Sequence, residues 1–268
     1  MSHIFDEIAA VESNEVVSVG HCRVRFHAPR IAAGAKPGQF VNIRCGGRTL
    51  LRRPFSFSRV VGESFEIVVR IIGEGTRQLS LARPGDRLPI LGPLGRGFEL
   101  TDRIKHAVMI GGGCGIGPLE MLGRTLIQND VETTALLGCQ NRETFPLNPD
   151  ELQQLGIETH LSVMEGGGGH LGPVTDLLKE YLARAASVEG RMLFACGPWG
   201  MLKKVAESAA DHKVCCQVLL EEMMGCGMGA CMSCVCQVLL PDGGTMNKKV
   251  CTDGPMFWAD EVNWNARD

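Results

Sequence analysis

The 268-residue sequence predicts a chain of mixed class, α/β plus all-β, built in three parts. Three observations carry that reading. The first hundred residues hold short alternating strands with no helical period. The middle alternates compact apolar strands with helical stretches. The last fifty residues crowd cysteines into Cys226–Cys236. The expected boundaries are an antiparallel β-barrel over 1–100, a parallel α/β domain over 101–218 and a cysteine-rich mini-domain over 219–268.

In the first part Val16–Phe26 alternates loosely, and Gln39–Arg44 and Ser64–Ile72 set Val, Ile and Phe at period-two positions. Turn clusters at Ala33–Gly38 and Arg83–Asp86 lie between them, a spacing that suits a small barrel. Gly92–Phe98 (GPLGRGF) is rich in Gly and Pro and reads as a linker. Beyond it, strands are expected at His106–Ile110, Thr133–Leu137, Glu158–Val163 and Met192–Ala195. Helices are expected at Pro118–Gln128, Val174–Ala186 and Met201–Asp211. That alternation gives a parallel sheet with helices on both faces. A short strand, Cys234–Leu240, and a turn, Pro241–Gly244, close the pattern.

Composition excludes several classes. A net charge of −3 supplies no basic footprint for nucleic acid or an anionic membrane surface. No apolar run approaches the ~20 residues that span a bilayer. Met1–Ala10 carries Asp6 and Glu7 and lacks the cationic start of a secretory signal. A cytoplasmic protein is therefore expected. In a reducing compartment its twelve cysteines point to metal or redox chemistry rather than disulfides.

The cysteine block has a definite spacing. Cys226, Cys231 and Cys234 are separated by four and then two residues, and Cys251 follows after sixteen more. This is the C-x4-C-x2-C…C arrangement of plant-type [2Fe–2S] ferredoxins, in which one loop supplies three thiolates and a distant turn the fourth. Gly225, Gly227 and Gly229 allow the loop to turn its amide N–H groups towards sulfur. A zinc site or buried free thiols are the plainer readings, but zinc favours C-x2-C pairs. Cys236 forms a C-x-C with Cys234, so that one ligand position has a competitor; Cys234 alone completes the spacing. The remaining seven cysteines are scattered and read mostly as small buried hydrophobes.

Three further segments suit nucleotides. Arg53, Pro54, Phe55 and Ser56 open a barrel strand; the Arg suits a pyrophosphate, the aromatic a flavin ring and the hydroxyl the neighbourhood of flavin N5. Alone, this segment reads better as an edge strand with surface arginines. It is followed, however, by Val69–Arg70–Ile71 and the glycine turn Gly73–Thr76, where the absence of a side chain at Gly75 leaves room for phosphate oxygens. The third segment, Gly111–Pro118, has glycines at 111, 112, 113, 115 and 117 at a strand-to-helix turn. It fits no register of G-x-G-x-x-G, yet five glycines in seven positions exceed what a plain turn needs. Cys196, Gly197 and Pro198 end the last strand of the middle domain at the edge where such sheets bind ligands, and the Cys196 thiol is placed to line a nicotinamide pocket. Trp199 and Met201 read as packing.

Taken in order, RRPFS, RIIGEGT, GGGCGIGP, CGP and the closing CGMGACMSC…VCTDGP resemble the ferredoxin-reductase superfamily over essentially the whole chain. Within it they resemble the electron-transfer subunit of class 1B dihydroorotate dehydrogenases. The resemblance implies FAD contacts at Arg53, Pro54, Phe55, Ser56, Val69, Arg70, Ile71, Gly75 and Thr76. It implies cluster ligands at Cys226, Cys231, Cys234 and Cys251 and NAD(H) as co-substrate, for which the Gly111–Gly117 and Cys196–Pro198 segments read above are the candidate site. Ser56 and Cys196 are the candidate catalytic residues. The implied partner is a separate FMN-containing catalytic barrel protein, assembled with this chain as a heterotetramer of two copies each and serving pyrimidine biosynthesis. Neither nucleic acid nor membrane is an expected partner.

Two other readings remain at this point. Subunits of NADH-dependent ferredoxin:NADP⁺ oxidoreductase or sulfide dehydrogenase carry the same cofactors with a different partner. A non-catalytic redox-sensing iron–sulfur module would not pass electrons from NADH to flavin. Arg142, just after the second strand of the middle domain, suits a 2′-phosphate or a solvent-facing loop equally.

Overall fold

The structure is a computed structural model and describes residues 3–46, 49–184 and 189–267. Its first part comprises β1 (Phe5–Ser18), β2 (His21–His27), α1 (Pro29–Gly34), β3 (Phe40–Ile43), β4 (Arg53–Ser56), β5 (Arg59–Val61), β6 (Ser64–Arg70), α2 (Glu74–Ser80) and β7 (Arg87–Leu94). The seven strands form one sheet in the order β4-β3-β7-β1-β2-β6-β5, with antiparallel neighbours throughout. It curls until β4 touches β6 and forms a half-barrel. Period-two alternation drives this: Cys22, Val24 and Phe26 on β2 meet Phe65, Ile67 and Val69 on β6 inside the curl.

Two expectations need correction here. Val16–Phe26 is not one strand, because Val19–Gly20 turns the chain back from β1 to β2 and Gly20 takes φ +75°. Gly92, Pro93 and Leu94 are not linker but the end of β7, where Gly92 lies so close to Val41 that a Cβ would stand 2.7 Å from its side chain. The long strand β1 escaped notice because its charged residues blur the alternation.

The middle part runs β8 (His106–Gly112), α3 (Ile116–Gln128), β9 (Glu132–Cys139), α4 (Pro149–Gln153), β10 (Glu158–Val163), β11 (His170–Leu171), α5 (Val174–Arg184), β12 (Arg191–Cys196), α6 (Trp199–Asp211) and β13 (Cys215–Leu219). The helix expected to reach Ala186 is described to Arg184; Ala185 and Ala186 lie outside the described residues. After β13 come the hairpin β14 (Val235–Leu239) and β15 (Thr245–Lys249), then β16 (Met256–Trp258). The second sheet has the order β11-β10-β9-β8-β12-β13-β16, parallel except for β16 at the edge.

Side chains of β8 divide between two cores. Ala107 and Met109 pack under α3 with Leu119, Leu122 and Leu126, whereas Val108 and Ile110 pack under α5 and α6 with Leu178 and Val205. Because the chain leaves β8 for β9 on one side and later returns to β12 on the other, the glycine turn after β8 sits at a topological switch point. Open α/β sheets bind ligands there, beyond the carboxyl ends of the strands.

Barrel and α/β domain are joined by a buried ion cluster. Glu120 on α3 is 1% exposed; it accepts from Arg59 Nε at 2.6 Å and from Ser58 Oγ at 2.9 Å. Arg59 also reaches Glu151 at 2.7 Å, and Arg23 lies 3.8 Å from Glu66 and 3.6 Å from Glu151. At the other end Trp199 packs on Trp264 with ring centroids 4.9 Å apart, and Arg267 lies over the Trp199 ring. The last residues are thereby fastened to α6. No helix among the described residues is long and apolar enough to cross a membrane.

Candidate functional site

Two clefts and one loop adjoin each other between the domains. A cleft of about 370 Å³ is lined by Arg53, Pro54, Phe55 and Ser56 of β4, by Arg70 and Thr76, and by Gly117 and Pro118 of α3. A second, of about 550 Å³, is lined by Gly112, Gly113, Gly138, Pro198 and Ile71. Arg70, Ile72 and Cys114 line both, so the two clefts meet along these three residues.

Each expected residue has a definite place. Arg53 donates from Nη1 to the Leu51 carbonyl at 2.8 Å, and its stem closes on Gly75, where a Cβ would lie 3.2 Å from Arg53 Cγ. The Thr76 hydroxyl caps α2, accepting from the Ile72 and Gly73 N–H groups at 3.0 Å each. Val69 points into the barrel core rather than into either cleft. Gly111 and Gly115 serve packing: a Cβ at Gly115 would stand 2.3 Å from the Cys196 carbonyl, and one at Gly111 2.9 Å from Ile116 and Leu119. Gly197 takes φ +157° and lies against Met201, which also lines the second cleft.

The structure buries Cys196 at 2% exposure, and burial pushes its thiol well up. The thiol that borders both clefts is Cys114, in the middle of the glycine turn. Burial, reinforced by the Glu221 carboxylate, pushes Cys114 up to about 11 and keeps it a neutral thiol, against a smaller opposing pull from Arg70. Sequence reasoning passed over Cys114 because its neighbours, not its type, place it there. Glu221 was also missed. It lies on the wall of the first cleft with Glu222, Met224 and Phe40 and keeps contact with solvent, yet crowding desolvates it enough to push its carboxyl up. Glu222 is held by the Arg267 guanidinium.

The cysteine loop holds its four thiols as two pairs. Cys231 Sγ lies 3.4 Å from Cys226 Sγ, and Cys234 is near enough to Cys251 to add to the burial that pushes the Cys251 thiol up. Amide N–H groups of Met228 and Cys231 point at Cys226 Sγ from 3.5 and 3.4 Å. Burial alone would push Cys226 up; these amides, with Ala230 N–H and the Cys231 thiol, outweigh it and hold Cys226 down at about 6. Gly227 and Gly229 take φ +71° and +86°, the left-handed turns that aim those amides inward. Lys249 donates from Nζ to the Gly229 carbonyl at 2.8 Å and ties the loop to β15. Cys236, the rival ligand, instead packs in the core beside Val238.

Among the described residues, no three His, Cys, Asp or Glu side chains converge as one metal ion requires. Two thiol pairs suit two irons, and thiolate-stabilising amides suit an anionic cluster. The donor set fits [2Fe–2S] better than zinc. The first cleft likewise fits a flavin nucleotide, with an aromatic wall, two guanidinium groups and a glycine-backed corner.

The iron–sulfur cluster binding domain of dihydroorotate dehydrogenase B matches residues 221–263. The dihydroorotate dehydrogenase B (NAD(+)), electron transfer subunit, of Desulforamulus reducens is 35% identical over 268 residues, covering 98% of this chain and 100% of that one. The protein of the same name from Caldanaerobacter subterraneus subsp. tengcongensis is 41% identical over 226 residues, 84% of this chain and 86% of that one. This chain belongs to the dihydroorotate dehydrogenase B electron transfer subunit family. The fold is shared more widely: the solved NADH-dependent reduced ferredoxin-NADP oxidoreductase, described for flavin-based electron bifurcation, superposes with a TM-score of 0.84 at 26% identity, covering 97% of this chain and 91% of that one.

Membership of an electron transfer subunit family draws attention to the outside of the cysteine loop. Met223, Met228 and Met232 are 83%, 51% and 62% exposed around it. Three flexible apolar side chains thus stand exposed in and beside the thiol loop.

Proposed function

We propose that this chain passes electrons between NAD(H) and a separate catalytic dihydroorotate dehydrogenase subunit, through FAD in the first cleft and a [2Fe–2S] cluster on the cysteine loop. One observation carries the reading. The second cleft meets the first at Arg70, Ile72 and Cys114, and the wall of the first cleft continues through Glu222 and Met224 into the loop that begins at Gly225. This adjacency supports the order of sites that the chemistry requires. A nicotinamide exchanges a hydride, a cluster takes one electron at a time, and a flavin does both.

Residues of the chain take distinct parts in this reading. Arg53 and Arg70 offset phosphate charge, Phe55 packs against the flavin ring, and Ser56 offers a hydroxyl at its edge. Gly112, Gly113 and Pro198 let a nucleotide approach the backbone, and neutral Cys114 fills the seam without adding charge. Cys226, Cys231, Cys234 and Cys251 hold the cluster. The methionine rim receives the partner, an FMN-containing catalytic subunit, in a heterotetramer of two copies each. NAD rather than NADP is favoured by the names of the relatives, while Arg142 sits in an exposed loop against Gly168.

The test is anaerobic mixing of the purified, cofactor-loaded chain with NADH. Flavin absorbance should bleach first, followed by the paramagnetic signal of a reduced cluster. A flavin that NADH leaves oxidised sinks the reading. A second reading keeps the cofactors and changes the partner to that of a ferredoxin-NADP oxidoreductase, a protein whose fold this chain shares at a TM-score of 0.84. Identifying the subunit that co-purifies at native levels decides between them.

A further inference from the structure

Asn42 breaks the pattern of its strand. Val41 and Ile43 point into the barrel core, so Phe40 and Asn42 face outward, and both are covered by other parts of the fold. Phe40 lines the first cleft. Asn42 is 0% exposed and donates from Nδ2 to the carbonyl of Cys226 at 3.2 Å. Its Oδ1 is buried without a partner. A half-satisfied amide is a poor choice for stability alone, where a third aliphatic beside Val41 and Ile43 would serve better. Such local exceptions mark places where the fold serves a site.

The loop is shaped to meet this amide. A Cβ at Gly227 would stand 2.4 Å from Asn42 Nδ2, so the loop backbone comes as near as glycine alone permits. Asn42 is also opposite Pro54 in the β3–β4 ladder, within the segment that walls the first cleft. Phe40 and Asn42, two residues apart on one face, are separated by about 7 Å. One short strand face therefore touches the flavin cleft with one side chain and the first cysteine of the loop with the next.

We infer that Asn42 is a positioning residue for electron transfer: its side-chain amide pins the carbonyl of Cys226 to the barrel and fixes the span between cluster and flavin. The inference rests on the proposed placement of FAD and cluster. The step is one electron leaving reduced flavin and converting one iron(III) to iron(II), with the flavin's proton released to solvent. Its rate falls steeply with separation, so a loop free to lift from β3 slows it without touching the reaction of NADH.

The test compares wild type with Asn42→Leu, which keeps the branched outline of the side chain and removes the donor, in the full cofactor-loaded chain. Val41→Ala, altered on the opposite face of β3, is the control. Hydrogen exchange of amides 225–231 should rise roughly threefold to tenfold in Asn42→Leu, the worth of one net hydrogen bond, and stay near wild type in Val41→Ala. Flavin bleaching by NADH should keep its rate, while appearance of the reduced-cluster signal slows. Unchanged loop exchange together with unchanged cluster reduction overturns the inference. Loss of iron counts for it when exchange rises and against it when exchange does not. Should Asn42→Leu fail to accumulate as folded protein, Asn42→Ser, which is smaller and cannot reach the carbonyl, repeats the comparison. Wild-type flavin that NADH cannot reduce would sink the proposed function instead, so the two failures are told apart.

Discussion

The cysteine loop and the ion cluster between barrel and α/β domain both bring charge into the protein, by opposite means. The loop uses backbone: N–H groups of Met228, Ala230 and Cys231 favour the thiolate of Cys226 while part of its surface stays open. The junction uses side chains, burying the Glu120 and Glu66 carboxylates against Arg59, Arg23 and the more open Arg25. Charges held by backbone amides can change with redox state without removing a partner. Charges that depend on one another in the interior cannot lose a member without leaving another unpaired. The first arrangement suits chemistry and the second suits a joint.

That contrast breaks if the two regions respond alike to mutation. The largest expected effect is at the loop: Cys231→Ser should remove most iron and visible cluster absorbance while NADH still bleaches the flavin. Cys139→Ala, at a thiol that burial pushes up to about 12, should keep its iron. Cluster content retained in Cys231→Ser would overturn the ligand set. At the junction the pattern should reverse. Glu120→Ala takes the buried carboxylate from Arg59 and Ser58, leaving Arg59 its bond to Glu151, and should cost about 1.5–3 kcal/mol in urea unfolding, with the cluster spectrum intact. A change below ~1 kcal/mol would place Glu120 with surface ion pairs.

Arg53→Ala sharpens the comparison at the flavin cleft, where side-chain charge meets a ligand. Charge-assisted hydrogen bonds to phosphate are worth roughly 1.5–3 kcal/mol, so flavin should be lost on extended dialysis while iron stays. Full flavin occupancy after dialysis contradicts the placement. The smallest effect belongs to Glu221, whose carboxyl is pushed up by desolvation. The folded chain then holds its proton more tightly than the unfolded chain, so this contribution to stability is complete below the unfolded pKa and is lost as pH rises through the higher folded value. Glu221→Gln should therefore gain in melting temperature relative to wild type as pH is raised from 4 to 7. A pH-independent difference would show that Glu221 is not desolvated.

Much of this was legible in the sequence where a local rule leaves a local trace. The spacing of Cys226, Cys231 and Cys234 marks a ligand loop because three thiolates must come from one turn, and these cysteines do lie together. The strands and helices of the middle domain follow from apolar periodicity, and α3 and α6 begin within two residues of the expected starts. Other features depend on partners distant in sequence. Whether Cys114 or Cys196 borders the clefts is decided by how the turn after β8 packs on the Cys196 carbonyl, a contact across more than eighty residues. Asn42 reads as an ordinary polar residue until Cys226 arrives beside it. The strand β1 buries only Ala9 and Val11, and its alternation is hidden by Asp6, Glu7, Glu12 and Glu15 around them.

The central claim is that flavin stands between nicotinamide and cluster within one polypeptide. Rapid anaerobic mixing with NADH, followed at once by flavin absorbance and freeze-quenched electron paramagnetic resonance, tests it most directly. Flavin should lose its colour before any cluster signal appears, and in Cys231→Ser the bleaching should proceed with no cluster signal after it. A cluster reduced by NADH ahead of the flavin, or in a chain stripped of flavin, would contradict the account.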